Sequence, residues 1–211
     1  EIFPNEVSRF FFIDYRTNVE YLGQKAYCSV ESLLFTGNLF GADMCYGLIP
    51  DYLDPYDYEA FEKYPGKAYA VVTNIVTGEA EYIRLEDMHR DIVAIQASSS
   101  MPLVSRNVRI GSGLYLDGGI SDSIPVRRSI QDGNRKNVIV MTKEEGYTRK
   151  PSGAAELAMI RARYLRYPKV YERMRERHIA YNGTLQYMNE LKEQGKAFII
   201  RSKHKSNVGR V

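Results

Sequence analysis

Cysteine is scarce in this sequence, which contains only Cys28 and Cys45. The two residues form no C-x-x-C pair, and no histidine lies close to either of them along the chain. Disulfide frameworks and zinc sites need more thiols, or thiols and imidazoles at short spacing. We therefore expect two reduced, structural cysteines in a cytoplasmic protein.

Long apolar runs are missing as well. The longest extend over four or five residues, as in FFFI at 10–13, whereas a membrane-spanning helix needs about 20. The first ten residues lack the basic, apolar and small-residue zones of a signal peptide. The sequence therefore indicates neither a membrane span nor a secretion signal, and any contact with a membrane is expected to be peripheral.

Signals for nucleic acid, metals and cofactors are also absent. The formal net charge of +3 over 211 residues is too small to indicate nucleic-acid binding, and the 17 tyrosines follow no basic–aromatic repeat. His89, His178 and His204 are scattered, and no pair has the spacing of metal ligands. We expect no nucleic-acid partner, no metal and no cofactor, and we interpret His178 as a half-buried residue whose hydrogen bonds are satisfied.

What the sequence does contain is the pattern of a globular α/β protein. Hydrophobic residues make up 44% and charged residues 26%, which is ordinary for a folded domain. Residues 29–36 predict a short helix closed by Gly37, and Asp54 as N-cap before Pro55 predicts the start of another. Two β-rich runs on either side of residues 77–79 (TGE) predict a hairpin.

The middle of the chain predicts a helix followed by a second hairpin. Met88, Ile92 and Ile95 repeat at helical spacing, which indicates an amphipathic helix that ends in the segment ASSSMP at 97–102. Two short apolar runs then flank Gly-Ser-Gly at 111–113 and predict paired strands.

The pattern changes from strand to helix after Asp117. Ser123 is a candidate N-cap, Pro125 suits the first turn, and Gly133 suits the position just past the helix end. Residues 137–142 (NVIVMT) then predict a fully buried strand. A strand, a helix and a strand in this order predict a βαβ unit with two parallel strands in one sheet.

Asp117 has two interpretations. Asp-Gly is a strong hairpin-turn signal, so Asp117 with Gly118 is explained by a turn alone. The helix that follows favours the other interpretation, in which the carboxylate is presented at the carboxyl end of a parallel strand, where α/β sheets bind ligands. Gly118 and Gly119 would then allow a sharp turn beside the carboxylate.

The segment LDGGISDSIPV, preceded by AIQASSSMPLVSRNVRI, resembles the second half of bacterial patatin-like phospholipases. The resemblance continues in SLLFTGNLFG, YEAFEKYPGKAYAVVTN and IIRSKHKSNVGR, and so covers essentially the whole chain. It implies a three-layer α/β/α fold with a mostly parallel central sheet, and lipid-ester hydrolysis by a Ser–Asp dyad. By this resemblance Asp117 is the catalytic aspartate, and Gly118 and Gly119 form the active-site loop.

The chain departs from the family pattern at the nucleophile. The serine should lie in a G-x-S-x-G turn, yet no G-x-S-x-G occurs in the 211 residues, and residue 1 is not Met. We therefore expect a chain that lacks the N-terminal portion of the domain and is inactive alone. Ser98, Ser99 and Ser100 are expected to cap and stabilise a turn rather than attack substrate. The alternative is a non-catalytic fragment or interaction module that retains the fold, with or without binding to anionic membranes.

The composition becomes basic and helical beyond residue 150. We divide the chain into the hydrolase core, residues 1–150, and a helical extension, residues 151–211, that ends in a short strand at 197–200. Seven residues of the extension lie on one helical stripe that Gly195 ends: Val170, Met174, His178, Tyr181, Leu185, Met188 and Leu191.

The segment 149–177 holds nine basic and three acidic residues. One interpretation is a solvated helix face, because surface helices are commonly charged. The other is peripheral docking on an anionic membrane through Arg161, Arg163 and Arg166, since each basic residue near such a surface contributes about 1 kcal/mol. The second interpretation suits an enzyme whose substrate is a lipid ester or phospholipid.

Overall fold

The computed structural model of the chain describes residues 20–21 and 23–204. These residues form two compact units: Glu1–Asn74 with Glu81–Asp117, and Ile75–Ala80 with Gly118–Val211. The predicted boundary between residues 150 and 151 stays a prediction. The predicted loss of an N-terminal portion, the FFFI run and the last residues of the C-terminal segment (205–211) lie outside the described residues.

The described part of the first unit contains short helices before its sheet. Helix α1, Val30–Thr36, is closed by Gly37 as predicted, with φ 77°, and Ser29 is its N-cap, whose hydroxyl accepts from the Ser32 N–H. A π-helix, Met44–Leu53, follows.

Helix α2, Tyr58–Glu62, starts later than predicted, because Asp57 rather than Asp54 accepts the capping hydrogen bond, from the Ala60 N–H at 2.9 Å. Asp54 instead ends the π-helix, so its prediction as an N-cap was wrong.

A four-stranded sheet forms the centre of the first unit. Its strands are β1 (Ala68–Asn74), β2 (Ala80–Leu85), β3 (Val108–Ile110) and β4 (Gly113–Asp117), in the order β2-β1-β4-β3. Helix α3, Met88–Ser98, packs on it, with Val72, Ala97, Val108 and Tyr115 in one core cluster. Both predicted hairpins and the amphipathic helix are therefore confirmed.

The described residues do not form the mostly parallel sheet that the sequence predicted. Strand β4 pairs antiparallel with β1 on one side and with β3 on the other. The strand after Asp117, at 137–140, belongs to a separate two-stranded sheet, so the predicted βαβ unit was wrong. The mixed α/β class is confirmed, and the three-layer arrangement stays a prediction.

The second unit contains a 3₁₀ turn, Gly118–Ile120, and helices α4 (Val126–Gln131), α5 (Ala154–Arg163) and α6 (Pro168–Glu193). Strands β5 (Asn137–Val140) and β6 (Ala197–Ile200) pair in parallel, Asn137 opposite Ala197. Gly133 and Gly195 follow their helices with φ of 94° and 68°, as predicted.

Two details of this unit differ from prediction. Ser123 does not cap α4, because its hydroxyl donates to the Gly119 carbonyl at 2.7 Å and Pro125 takes the N-cap position. Strand β5 is buried on one face only: Val138 is 69% and Val140 is 67% exposed. The apolar run NVIVMT concealed this alternation, because every residue from Val138 to Met141 is apolar regardless of the face it occupies.

The core of the second unit lies between β5 and α6. Val126, Ile139, Met188 and Leu191 form one buried cluster, so the apolar stripe predicted along the long helix is the packed face. Within the described residues, no helix is both long and apolar enough to cross a membrane.

Candidate active site

Asp117 is the last residue of β4 and is half-buried. It stands opposite Val72 on β1, in an antiparallel pair. The carboxylate is therefore carried at the carboxyl end of a strand, as expected, but of an antiparallel strand instead of the parallel one that the sequence predicted. The general rule for ligand sites in open parallel sheets does not apply to it.

The backbone of Asp117 is held on both sides. Its N–H donates to the Ser100 carbonyl at 2.8 Å, and its carbonyl accepts from the Thr73 hydroxyl at 2.8 Å. Thr73 is fully buried at 0% exposure, and Ser100 is 5% exposed. Buried hydrogen bonds of this kind restrict backbone movement, so the position from which the Asp117 side chain extends is well fixed.

The two glycines that follow do not form a hairpin. Gly118 and Gly119 begin the 3₁₀ turn, and the Gly118 carbonyl accepts from the Asp122 N–H at 2.8 Å. The Gly119 carbonyl accepts from the Ser123 hydroxyl and from the Arg177 Nε, at 2.7 Å and 2.5 Å. The chain therefore runs from strand to turn to helix, which favours presentation of Asp117 over the hairpin-turn interpretation.

Two of the candidate serines, Ser99 and Ser100, make the local bonds that were expected of them. Ser99 donates to the Ile95 carbonyl at 2.6 Å, and Ser100 donates to the Gln96 carbonyl at 2.7 Å. Both hydroxyls bond to carbonyls of the preceding helical turn, at the C-terminal end of α3. Ser99 also lies 3.0 Å from the Tyr46 hydroxyl.

A half-buried carboxylate on β2, Glu81, bonds to side chains of β1 and β4. Glu81 accepts from the Asn74 amide at 2.7 Å and from the Tyr115 hydroxyl at 2.8 Å. Burial, together with the hydrogen bond and the charge of Glu81, raises the pKa of Tyr115 to about 12. Tyr115 therefore stays protonated at neutral pH and acts as a hydrogen-bond donor.

The two cysteines and the potential metal ligands are the next candidates for a functional site. Cys28 and Cys45 are free thiols, and burial, followed by the proximity of Cys28, raises the pKa of Cys45 to about 11. A thiol of that pKa is a poor nucleophile at neutral pH. No group of three or more potential metal ligands occurs in the described part of the chain.

His178 is half-buried, as expected, but its Nδ1 is buried without a hydrogen-bond partner. The prediction that its hydrogen bonds are satisfied was therefore wrong. The helical pattern predicts that the ring lies on the packed stripe. It does not predict whether Nδ1 has a hydrogen-bond partner there.

The three arginines proposed for membrane contact, Arg161, Arg163 and Arg166, are all exposed. They lie at the end of α5 and in the turn before α6, which also exposes Leu165 at 74%.

Sequence reasoning missed Thr73, which contributes directly to the position of Asp117. The available signal was a hydroxyl residue within the apolar run AVVTNIV, at a position whose neighbours predict burial. A buried hydroxyl needs a partner, and here the partner is the Asp117 carbonyl.

Comparison with known families divides the chain into two matched segments. A domain of unknown function, DUF6363, matches residues 167–211, which include α6 and β6. No curated protein matches the chain. The patatin-like phospholipase family matches residues 6–129, more than half of the chain and including β4, Asp117 and both glycines. The chain therefore belongs to the patatin-like phospholipase family, a family of lipid acyl hydrolases.

Proposed function

We propose that this chain carries the aspartate of a Ser–Asp dyad in a lipid acyl hydrolase, with Asp117 as the proton acceptor. The observation that supports this most is the place of Asp117 within the matched segment, at the end of β4 and before the Gly118–Gly119 turn. The backbone bonds to Thr73 and Ser100 fix the carboxylate's attachment point, as a general base requires.

The proposed chemistry needs only a serine and a carboxylate. The serine hydroxyl transfers its proton to the Asp117 carboxylate as its oxygen bonds to the acyl carbon of the lipid ester. The tetrahedral intermediate collapses, and the departing alcohol takes the proton back from Asp117. Water then attacks the acyl-enzyme by the same proton transfer and releases the fatty acid.

The nucleophile is proposed to lie outside the 211 residues, in a G-x-S-x-G turn encoded upstream. The test is to express the chain together with its upstream coding sequence and to treat both forms with a fluorophosphonate. We expect labelling of the longer protein at the serine of that turn, and no labelling of the 211-residue chain. Labelling of the short chain at Ser98, Ser99, Ser100 or Ser112 would place the nucleophile elsewhere.

The same experiment separates the hydrolase from the alternative, a non-catalytic module with the same fold. An upstream sequence without G-x-S-x-G, and a longer protein that the fluorophosphonate leaves unlabelled, would favour the non-catalytic module.

A second proposal concerns contact with anionic membranes. The turn between α5 and α6 exposes Leu165 at 74%, between Arg163 and Arg166. Met159 on α5 is also exposed, at 55%. Basic residues around an exposed apolar side chain are suited to the interface of an anionic bilayer, where charge attracts and the apolar group inserts. We place the peripheral contact of the enzyme with its substrate membrane at this turn.

A further inference from the structure

The second unit contains a cavity of about 410 Å³. Its walls are formed by Gly119 of the 3₁₀ turn, by the start of α4, by β5 and the residues after it, and by α6. Every residue that lines it belongs to the same compact unit. Neither Asp117 nor any of the candidate serines lines it.

Asn137 lines this cavity and carries a hydrogen-bond donor without a partner. The residue is 8% exposed, and its Oδ1 accepts from the Ser129 hydroxyl at 2.6 Å. Because the atom that accepts this bond is Oδ1, the other amide atom is the donor Nδ2. Nδ2 is buried and has no hydrogen-bond partner. A buried N–H₂ group without an acceptor costs free energy, so its presence calls for a ligand that accepts.

Arg149 presents a second unused donor. Its main chain is bound twice by the Asn182 side chain, at 2.9 Å and 3.0 Å, and its guanidinium lies 4.6 Å from the centre of the Tyr181 ring. These contacts fix the side chain against α6. Its Nε is nevertheless buried without a partner, although it belongs to a permanent cation.

The charged residues that line the cavity are all cations, while Glu144, outside the lining, lies close enough to Tyr181 to add to the rise that burial causes in the pKa of its phenol. Arg149, Arg177 and Lys143 line it, and no Asp or Glu is among its lining residues in the described chain. Burial raises the pKa of the Tyr181 phenol, while Arg149 and Arg177 oppose that rise, so both cations lie close to this ring. Arg177 is oriented by its Nε bond to the Gly119 carbonyl.

We propose that this cavity binds a phosphate group through Asn137, Arg149 and Arg177. The two unpartnered buried groups are both donors, so a matching ligand carries hydrogen-bond acceptors. The charged lining residues are three cations and no carboxylate, so a matching ligand is an anion. Phosphate carries several acceptor oxygens and up to two negative charges, and arginine binds it in a geometrically specific way. The apolar part of the wall, which includes Ile124, Val126 and Met141, is suited to a short hydrocarbon stem attached to that phosphate.

This site gives a role to the segment of unknown function. Helix α6 supplies Arg177 and Tyr181, and both lie within the DUF6363 match at 167–211. The inference goes beyond the hydrolase proposal, because binding in this cavity requires neither a nucleophile nor Asp117.

The test is isothermal titration calorimetry on the 211-residue chain with two probes, inorganic phosphate and dihexanoyl phosphatidic acid below its micelle concentration. Because neither probe forms a membrane, binding reports the cavity and not the α5–α6 turn. We expect at least one probe to bind, and its affinity to fall about tenfold or more in Arg149→Gln and in Asn137→Asp. Asp keeps an acceptor for Ser129 but replaces the donor with a negative charge.

Two exposed positions outside the cavity provide matched controls. Arg135→Gln removes a positive charge and Gln131→Glu converts an amide to a carboxylate, and both should change affinity less than twofold. Binding of both probes identifies a free phosphate as sufficient, and binding of the lipid phosphate alone identifies a headgroup. Failure of both probes to bind, or binding that Arg149→Gln leaves unchanged in a folded protein, would overturn the proposal.

Discussion

The hydroxyl of Thr73 donates a 2.8 Å hydrogen bond to the main-chain carbonyl of Asp117. The two residues lie on neighbouring antiparallel strands, β1 and β4, and Thr73 has 0% exposure. The bond joins the second-last residue of β1 to the last residue of β4. It therefore positions the strand end that carries the proposed general base.

Thr73→Val should weaken this strand end while preserving side-chain shape. Loss of a buried hydrogen bond of this kind costs about 1–2 kcal/mol, so the free energy of unfolding from urea denaturation should fall by that amount. Amide exchange at Asp117 should also accelerate. Thr148→Val, at an exposed loop position, is the control and should change neither value. Equal stability of the two variants would show that the Thr73 bond does not hold β4.

Tyr115→Phe should change how stability depends on alkaline pH. Tyr115 has a pKa of about 12 in the folded chain against an ordinary value of 10.0, so the neutral phenol is favoured by folding. The contribution of this neutral phenol to the free energy of unfolding is complete below about pH 10 and is lost as pH rises through about 12. The difference in unfolding free energy between wild type and Tyr115→Phe should therefore shrink above about pH 10.

A suitable control for that titration is Tyr52→Phe, because Tyr52 is 75% exposed. It removes a phenol from the surface. A difference for Tyr115→Phe that stays constant over the pH range would show that the Tyr115–Glu81 bond does not favour the neutral phenol.

The elements predicted from sequence were those with local determinants. Ser29 and Gly37 bound α1 because a cap hydroxyl and a left-handed glycine act within one helical turn. Both hairpins formed around glycine turns with φ of 74° at Gly78 and 56° at Gly111. These signals need no knowledge of distant residues.

Two N-caps, Asp54 and Ser123, failed locally, whereas the failures in strand pairing concern partners that are distant in sequence. The order of elements after Asp117 is compatible with a parallel pair, but β4 pairs with β1, some forty residues earlier, and β5 pairs with β6, some sixty residues later. Strand pairing of this range is set by the packing of whole sheets, which no local pattern encodes. The same holds for the candidate site, where the motif led to the proposal of Asp117 but gave no sign of its Thr73 anchor.

Membrane binding should depend on the α5–α6 turn. Binding of the chain to liposomes should require anionic lipid and should weaken as salt is raised, because surface charges are screened over about 8–10 Å at physiological ionic strength. Replacing Arg161, Arg163 and Arg166 together with Gln should remove about 1 kcal/mol of binding free energy per residue. Cosedimentation with liposomes of increasing anionic fraction measures this.

A triple variant with equal loss of charge controls for net charge alone: Lys67→Gln, Arg109→Gln and Arg135→Gln, all at exposed positions. It should bind nearly as well as wild type. Equal binding to neutral liposomes, or equal loss in both triple variants, would contradict a docking surface at this turn.

The most direct test of the central claim is the hydrolytic rate of Asp117→Asn, measured in the protein expressed with its upstream coding sequence. Asn preserves shape and hydrogen bonding but cannot accept the serine proton, so the fold should persist while kcat for a lipid ester falls at least about a hundredfold. Asp43→Asn, at an exposed position, should hydrolyse normally. If Asp117 were only a turn residue, Asn would replace it well. A stable Asp117→Asn protein with near-normal kcat would contradict the account.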